Sequence, residues 1–528
     1  MLRPRPHLLW PAFLALTAAS IAALARTGGS TNPTSTHPSS DSSLPSSSPI
    51  SVNPKDIQTT LLPLLSPTAV LILSTSPSSG TRWSSSPLNS PHQPLAIILP
   101  TTASDIAATI RYANAHDLPF LATTGGHGTT TTLSAMEGGI IINMRNMTSF
   151  SVSPDRKTAT IGGGLLAGNV VDELWAVGLQ TTTGLCGCVS FAGPALGGGH
   201  GLLQGRYGLV ADQVLAAEMV LADGSVVRVG ERERGNLFWG LRGAGHNFGV
   251  VSEFTVRVHE VEEGRREWAW EGFTFEGGRL EKVYEVLGGM MEGQGDGVVF
   301  WSFWQRVVDV DPVKPVIVVY VLHNGPLEEA REYTRLIHAL SPTAYRFGVT
   351  DYPGLQAALG TDKNGPFCQP QGTIMFRGFD VNEYDLVALR EWFSIFTKML
   401  ETEEAFAHSF CMLEGYPVQG VQAVHAESTA FPHRGQRLSL APVIVYDDVG
   451  NKTLDKEAES WIKEMEVAAF GNARWRTYVN YAHGDETPQA MYGYEPWRLE
   501  KLRVLKRKYD PDNRFRFYNP IVGGSRNR

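Results

Sequence analysis

The chain has 528 residues, 42% apolar and 19% charged, with a formal net charge of −8, which is enough length for two domains with sizeable cores. The negative balance comes without an acidic or basic block, so it argues against a nucleic-acid partner and fits a small-molecule substrate. Four cysteines in a chain of this size are no disulfide scaffold, and neither they nor the fourteen histidines show metal-ligand spacing, so no metal is expected.

At the N-terminus, Arg3 and Arg5 precede an apolar stretch from Leu8 to Ala25 that ends in Ala23-Leu24-Ala25, a small-x-small cleavage pattern. Residues 1–25 therefore read as a secretory signal peptide. The stretch is close to the minimum length of a membrane span, so an uncleaved single-pass anchor is the alternative, and membrane contact is expected only in that case. Either choice sends the protein into the secretory pathway. Residues 26–60 read as a Ser/Thr/Pro-rich linker, whose richest part, 27–53, cannot form a core and is open to O-glycosylation. Asn146-Met147-Thr148 and Asn451-Lys452-Thr453 are glycosylation sequons, at Asn146 and Asn451.

From about Leu95 helix and strand alternate. Ile106, Ile110 and Ala113 keep helical spacing after a capping candidate at Ser104, and Leu118 to Ala122 reads as a short strand feeding a glycine-rich turn. Ala217 to Leu221 and Ser225 to Val229 flank Ala222-Asp223-Gly224, a hairpin signal, and Glu253 to Val258 alternates as another strand. Past residue 260, strand-like runs such as Val298 to Trp304 and Val316 to Leu322 alternate with helices over Leu327 to Leu340 and Glu383 to Leu400. The pattern predicts an α+β protein, its second half built on an antiparallel sheet with helices behind it.

Three glycine-rich runs stand out. The first is Thr123-Thr124-Gly125-Gly126-His127-Gly128-Thr129. The second runs from Cys186-Gly187-Cys188-Val189-Ser190 through Gly193 to Gly197-Gly198-Gly199-His200-Gly201, and the third is Leu241-Arg242-Gly243-Ala244-Gly245-His246-Asn247-Phe248-Gly249-Val250-Val251. Glycine tolerates positive φ and lets a backbone approach a pyrophosphate or a flat ring closely. A histidine inside such a turn can be placed hard against a cofactor.

In order and content these runs resemble the berberine bridge enzyme-like flavin oxidases, fungal type, of the vanillyl-alcohol oxidase/p-cresol methylhydroxylase superfamily. Tyr478-Val479-Asn480-Tyr481, Tyr492-Gly493, Arg498-Leu499 and Lys508-Tyr509-Asp510-Pro511-Asp512-Asn513-Arg514-Phe515 extend the likeness to the C-terminus. The resemblance implies a two-part FAD-binding domain over 90–260, a substrate domain over 261–472 and a C-terminal segment, 473–528, that returns to complete the FAD site. It implies FAD bound covalently through His127, with a second bond from Cys186, eleven residues before Gly197; a single bond to His127 is the alternative. Thr124, Gly125, Gly126, Gly128, Thr129, Val189, Gly193, Gly197, Gly198, Gly199, Gly201, Gly249, Val250 and Asn480 are then expected to bind the cofactor. Val189 falls at the position of an oxygen gate, which implies an oxidase that reduces O₂ to H₂O₂.

A hydride oxidation of an alcohol or amine usually needs a base for the proton. In plant relatives that base precedes a Phe-Pro-His-Arg element, here Phe431-Pro432-His433-Arg434, but counting back meets Gln422, Ala423 and Val424. His425, Glu427 and Tyr478 are left as candidates, Tyr478 with core packing as its alternative. His200 either faces the site or packs. Cys368 and Cys411 either pair with each other or stay as buried thiols. The expected activity is that of an FAD-dependent oxidase of a secondary-metabolite intermediate. The alternatives are a carbohydrate oxidase, with Trp301 and Trp304 stacking on sugar, and a flavin-binding protein of low turnover in which the missing carboxylate means lost catalysis.

Overall fold

The computed structural model describes residues 53–522, apart from 74–83, 85, 370 and 472. The expected signal peptide or anchor and residues 26–52 of the expected linker lie outside that set. The end of the linker does not: Pro54–Thr60 is a helix, opened by a reciprocal cap between Asn53 and Asp56. It buries Ile57 in the same core as Ile98, Ile106 and Ile140. No helix among the described residues is long and apolar enough to cross a membrane.

The first layer is a four-stranded sheet in the order β1-β2-β4-β3, from β1 (Val70–Leu73), β2 (Ala96–Leu99), β3 (Phe120–Thr123) and β4 (Ile140–Asn143). Both β2 and β3 run parallel to β4, which requires crossovers. Helix Ala103–Ala115 supplies one and packs Ile106, Ile110 and Ala113 inward. Its cap is Thr102 rather than Ser104. The Thr102 hydroxyl accepts from the Asp105 amide at 3.2 Å while the Asp105 carboxylate accepts from the Thr102 amide at 2.9 Å, so two of the free N–H groups at the helix start are satisfied together.

The second sheet has the order β5-β6-β10-β8-β9, from β5 (Phe150–Val152), β6 (Thr158–Gly162), β8 (Val214–Val220), β9 (Val226–Gly230) and β10 (Val250–Arg257); a short β7 (Leu179–Gln180) pairs with β11 (His259–Glu260) outside it. The predicted hairpin is present, with β8 and β9 antiparallel and Gly224 at φ 78° in the turn. The C-terminal helix Pro496–Tyr509 buries Leu499, Leu502 and Leu505 in this sheet's core. Lys506 fastens it: its buried Nζ donates to the Asn247 carbonyl at 2.9 Å and to the Asp510 carboxylate and Phe515 carbonyl at 2.7 Å.

The third sheet is antiparallel and eight-stranded, in the order β15-β12-β14-β13-β18-β19-β16 with β17 also on β19. Its strands are β12 (Trp268–Glu276), β13 (Val298–Val307), β14 (Asp311–His323), β15 (Ala344–Thr350), β16 (Thr373–Phe376), β17 (Phe379–Val381), β18 (Phe410–Gly415) and β19 (Leu438–Tyr446). Helices Leu280–Glu292, Leu386–Thr402 and Lys452–Phe470 cover one face, where Trp304, Trp392, Phe396, Leu413 and Ile444 share a core. Leu389, Trp392, Phe393, Phe396, Met399 and Leu400 recur at three- and four-residue spacing on the second of these helices and so form one apolar stripe. Side chains alternate along a strand, so Cys411 and Leu413 enter this core while Phe410, Met412 and Glu414 of the same strand line a cavity on the opposite face.

Candidate active site

The glycine-rich turn leaves the end of β3 and runs along the cavity wall, where Thr124, Gly125, Gly126, His127, Gly128 and Thr129 all take part in the lining. Gly126 has φ 75°, a conformation that glycine adopts without a steric cost. Arg145 donates to the carbonyls of Thr124 at 2.9 Å and Gly125 at 3.3 Å, which fixes the turn from one side. A Cβ on Gly125 would meet the Cys188 carbonyl at 2.9 Å, and one on Gly128 would meet the Tyr518 ring at 2.9 Å. The turn is therefore wedged between the cysteine loop and the C-terminal segment.

In that loop Cys188 forms a disulfide with Cys368, and Cys411 is a buried free thiol of the large core. The expected choice for Cys368, pairing with Cys411 or standing free, is thus corrected on both counts: strand alternation turns Cys411 away from the cavity, and Cys368 lies across from the cysteine loop. The loop is held further by the Gly187 amide on the Thr361 carbonyl at 2.7 Å and by Gln356 donating to the Leu185 carbonyl at 2.9 Å. Cys186 stays a free thiol facing the cavity. Burial, with Glu414 nearby, pushes it up to about 12, so it rests as the neutral thiol.

The eight-stranded sheet supplies a second part of the lining, with Trp301, Phe303, Tyr320, Met412 and Glu414. Glu414, 6% exposed, is its buried carboxylate, accepting from Tyr481 at 3.1 Å and Tyr416 at 3.3 Å. Burial pushes it up to about 7, and the two tyrosine hydrogen bonds pull the other way. His200 also faces the cavity, stacked on Tyr416 at 5.3 Å and edge-on to Tyr478 at 4.8 Å. Burial lowers it to about 4, so it is a neutral ring at ordinary pH. The Tyr478 hydroxyl accepts from the Gly199 amide at 3.0 Å and the Asn480 amide group at 2.6 Å, and burial raises it above the usual phenol range.

A histidine turn, a free cysteine and a carboxylate thus share one cavity. The FAD binding domain family matches residues 94–230, and the berberine and berberine like family matches 477–522. FAD-linked oxidoreductase chyH of Penicillium rubens is 37% identical over 448 residues, 84% of this chain and 88% of that protein. The chain belongs to the berberine bridge enzyme-like FAD-linked oxidoreductases. A second fungal relative, FAD-linked oxidoreductase chry5 of Gibberella zeae, is 36% identical over 433 residues, 81% of this chain and 85% of that one. Among solved structures, a chitooligosaccharide oxidase superposes with a TM-score of 0.75 at 21% identity, covering 89% of this chain and all of that one. Physcomitrella patens BBE-like 1 does so with 0.74 at 22%, covering 88% and 98%. These two likenesses concern the fold.

Among the residues expected to hold FAD in this oxidoreductase, Val189, Gly193, Gly249, Val250 and Asn480 line the cavity with the histidine turn. Gly197, Gly198, Gly199 and Gly201 do not. Their Cβ positions are taken by protein: by the Asn480 side chain at 2.3 Å, the Phe431 ring at 2.4 Å, Val210 at 2.5 Å and the Thr183 carbonyl at 2.0 Å. That run is glycine so that Asn480, Tyr478 and Phe431 can pack onto it. His425 and Glu427 are exposed in a surface turn away from the cavity lining, where the Glu427 carbonyl accepts from Trp239. Trp301 lines the cavity, whereas Trp304 is core and bonded to Tyr284. The group that sequence reasoning missed is Glu414. Its signal was an acidic residue in the strand Phe410-Cys411-Met412-Leu413-Glu414-Gly415, hidden because a short helix, Gln419–Ala423, lies between this strand and Phe431, and counting back from Phe431 ends in and just after that helix.

The donor set suits a flavin. A cavity wall rich in glycine backbone, with an imidazole and a thiol in its lining, can take an isoalloxazine ring, and the FAD binding domain match over 94–230 includes the histidine turn and the cysteine loop. His127, Cys186, Gly193, Val250 and Asn480 are the residues that would hold it.

Proposed function

We propose that this oxidoreductase is an oxidase in which Glu414 takes the proton of a substrate hydroxyl or amine while FAD, when bound, accepts two electrons and passes them to O₂. The observation that carries this reading is the buried carboxylate of Glu414, clamped by Tyr416 and Tyr481 and lining the same cavity as the His127 turn. A base works best when its proton affinity lies near the operating pH, and burial sets Glu414 there. Tyr416 and Tyr481 hold its two oxygens, and the Tyr478 hydroxyl, already accepting two hydrogen bonds, positions Asn480 and Gly199 rather than abstracting a proton. The low-turnover alternative rested on a missing carboxylate, and Glu414 supplies one.

The same reading tethers FAD through His127 and Cys186. The disulfide removes Cys188 from competition, which supports Cys186 as the second attachment point. A cystine between Cys188 and Cys368 also fits an oxidising compartment, which supports secretion, and Asn146 is exposed for glycosylation.

Denaturing electrophoresis under ultraviolet light, with peptide mass spectrometry of the fluorescent band, tests the tether. Flavin on the His127 peptide cross-linked to the Cys186 peptide is expected, and flavin lost to the supernatant would leave a noncovalent flavoprotein. Oxidase behaviour can be tested without a substrate: photoreduced enzyme mixed with O₂ should reoxidise rapidly with one H₂O₂ per flavin, and slow reoxidation would mark a dehydrogenase.

A further inference from the structure

Five residues stand directly opposite one another across five adjacent strands of the large sheet. Arg346 on β15 faces Gly272 on β12, which faces Tyr320 on β14, then Trp301 on β13, then Glu414 on β18. All five line the cavity. Four strand spacings separate the ends of the row, about 19 Å in all. Between the two charged ends the surface is apolar: Tyr320 and Trp301 pave it, and Phe303, Val318 and Met412 lie in the neighbouring row. Gly272 has no side chain to interrupt it, and a Cβ there would sit 3.0 Å from the Tyr320 ring.

Arg346 is the only Lys or Arg that the sheet contributes to the described lining. It also borders a surface groove with Trp270, Tyr345, Phe347 and Ala358, so its half-buried side chain stands where the cavity meets the outside. An anion held there keeps part of its hydration, whereas one at the Glu414 end would meet a carboxylate in a dry setting.

We propose that this row selects the substrate: an elongated, flat, largely apolar molecule with an anionic end, held by Arg346 at the mouth, and its oxidised carbon at Glu414. The proposal rests on Glu414 being the base only for which end reacts. A guanidinium–carboxylate contact is charge-assisted and two-pronged, whereas a neutral oligosaccharide offers that guanidinium no anion.

Calorimetric titration of the FAD-loaded enzyme with (E)-stilbene-4-carboxylate, its neutral carboxamide and cellotetraose tests this. The carboxylate should bind at least tenfold tighter than the carboxamide, and cellotetraose should give no measurable binding. Arg346→Gln should reduce that preference to about unity while leaving the carboxamide Kd within about twofold, and Glu414→Gln should keep the preference. Equal affinities in the wild type, a preference that survives Arg346→Gln, no stilbene binding, or tighter binding of cellotetraose would each overturn the proposal. Binding is read without turnover, so an enzyme that oxidises nothing yet shows the Arg346-dependent preference would refute the functional reading alone.

Discussion

Two buried carboxylates tie this protein to pH, Glu414 through the proposed chemistry and Asp380 through stability. A base must be unprotonated, so substrate reduction of the flavin should rise with pH and level off above about 7, the value to which burial pushes the group. Stopped-flow reduction across pH 5–9 reads this directly; Glu414→Gln should remove the pH dependence and slow reduction by about 10²–10⁴-fold. Tyr481→Phe deletes a hydrogen bond that favours the charged form, so the midpoint should move upward. Asp380 behaves as a stability counterpart. Burial pushes it up to about 7, against a hydrogen bond from Ser439 and with Glu414 adding repulsion. The fold therefore prefers its neutral form: its contribution is fully present below the ordinary value near 3.8 and is lost as pH rises through about 7. Asp380→Asn should gain stability over the wild type as pH rises from 4.5 to 8, by at most about 4 kcal/mol. A thermal-melt difference that ignores pH would refute it. At Val189, whose side chain borders the cavity, Val189→Leu is expected to slow reoxidation by O₂ at least tenfold while substrate reduction is kept, measured on photoreduced enzyme.

The glycine runs do two different jobs at the scale of elements. The turn at 124–129 lies along the cavity, but the run at 197–201 is a packing seam between helix Ala192–Gly197, Phe431 and the C-terminal Tyr478 and Asn480. Gly198 combines φ 119° with a Phe431 ring 2.4 Å from where a Cβ would sit. Gly198→Ala should thus cost about 2–4 kcal/mol of stability, lowering Tm. Gly278→Ala, where a Cβ would meet nothing within 4 Å, should leave Tm unchanged within about 1 °C. Loss of flavin without loss of Tm in Gly198→Ala would instead return that glycine to the cofactor.

At the scale of the whole molecule, three devices join segments far apart in the chain. Cys188–Cys368 joins the cysteine loop to the segment after β15, Arg434 pairs with Asp212 at 2.7 Å in the interior, and Lys506 anchors the C-terminal segment. The Cys188→Ser/Cys368→Ser double variant should lose about 2–5 kcal/mol, seen as a lower Tm, yet keep Cys186 available for the flavin. Peptide mapping of its bound flavin checks the second part. The layout also explains why the C-terminal residues belong with the N-terminal half: Asn519 donates to the Val479 carbonyl at 2.7 Å and accepts from Thr130 at 2.7 Å, closing the segment against the histidine turn.

By itself the sequence determined the elements with strong periods and the family. Helix Leu386–Thr402, the β8–β9 hairpin and the His127 turn were legible because their signals are local: an apolar stripe, a turn dipeptide, glycine where φ is positive. Three features were decided only by tertiary structure, each because it joins residues far apart in the chain. The partner of Cys368 depends on which loop the fold brings beside it, and that loop lies 180 residues away in the chain. The duty of Gly197–Gly201 depends on side chains arriving from Phe431 and Asn480. The place of the proposed base depends on strand register: alternation turns Glu414 to the cavity and Leu413 to the core, and β13 sets Trp301 beside it.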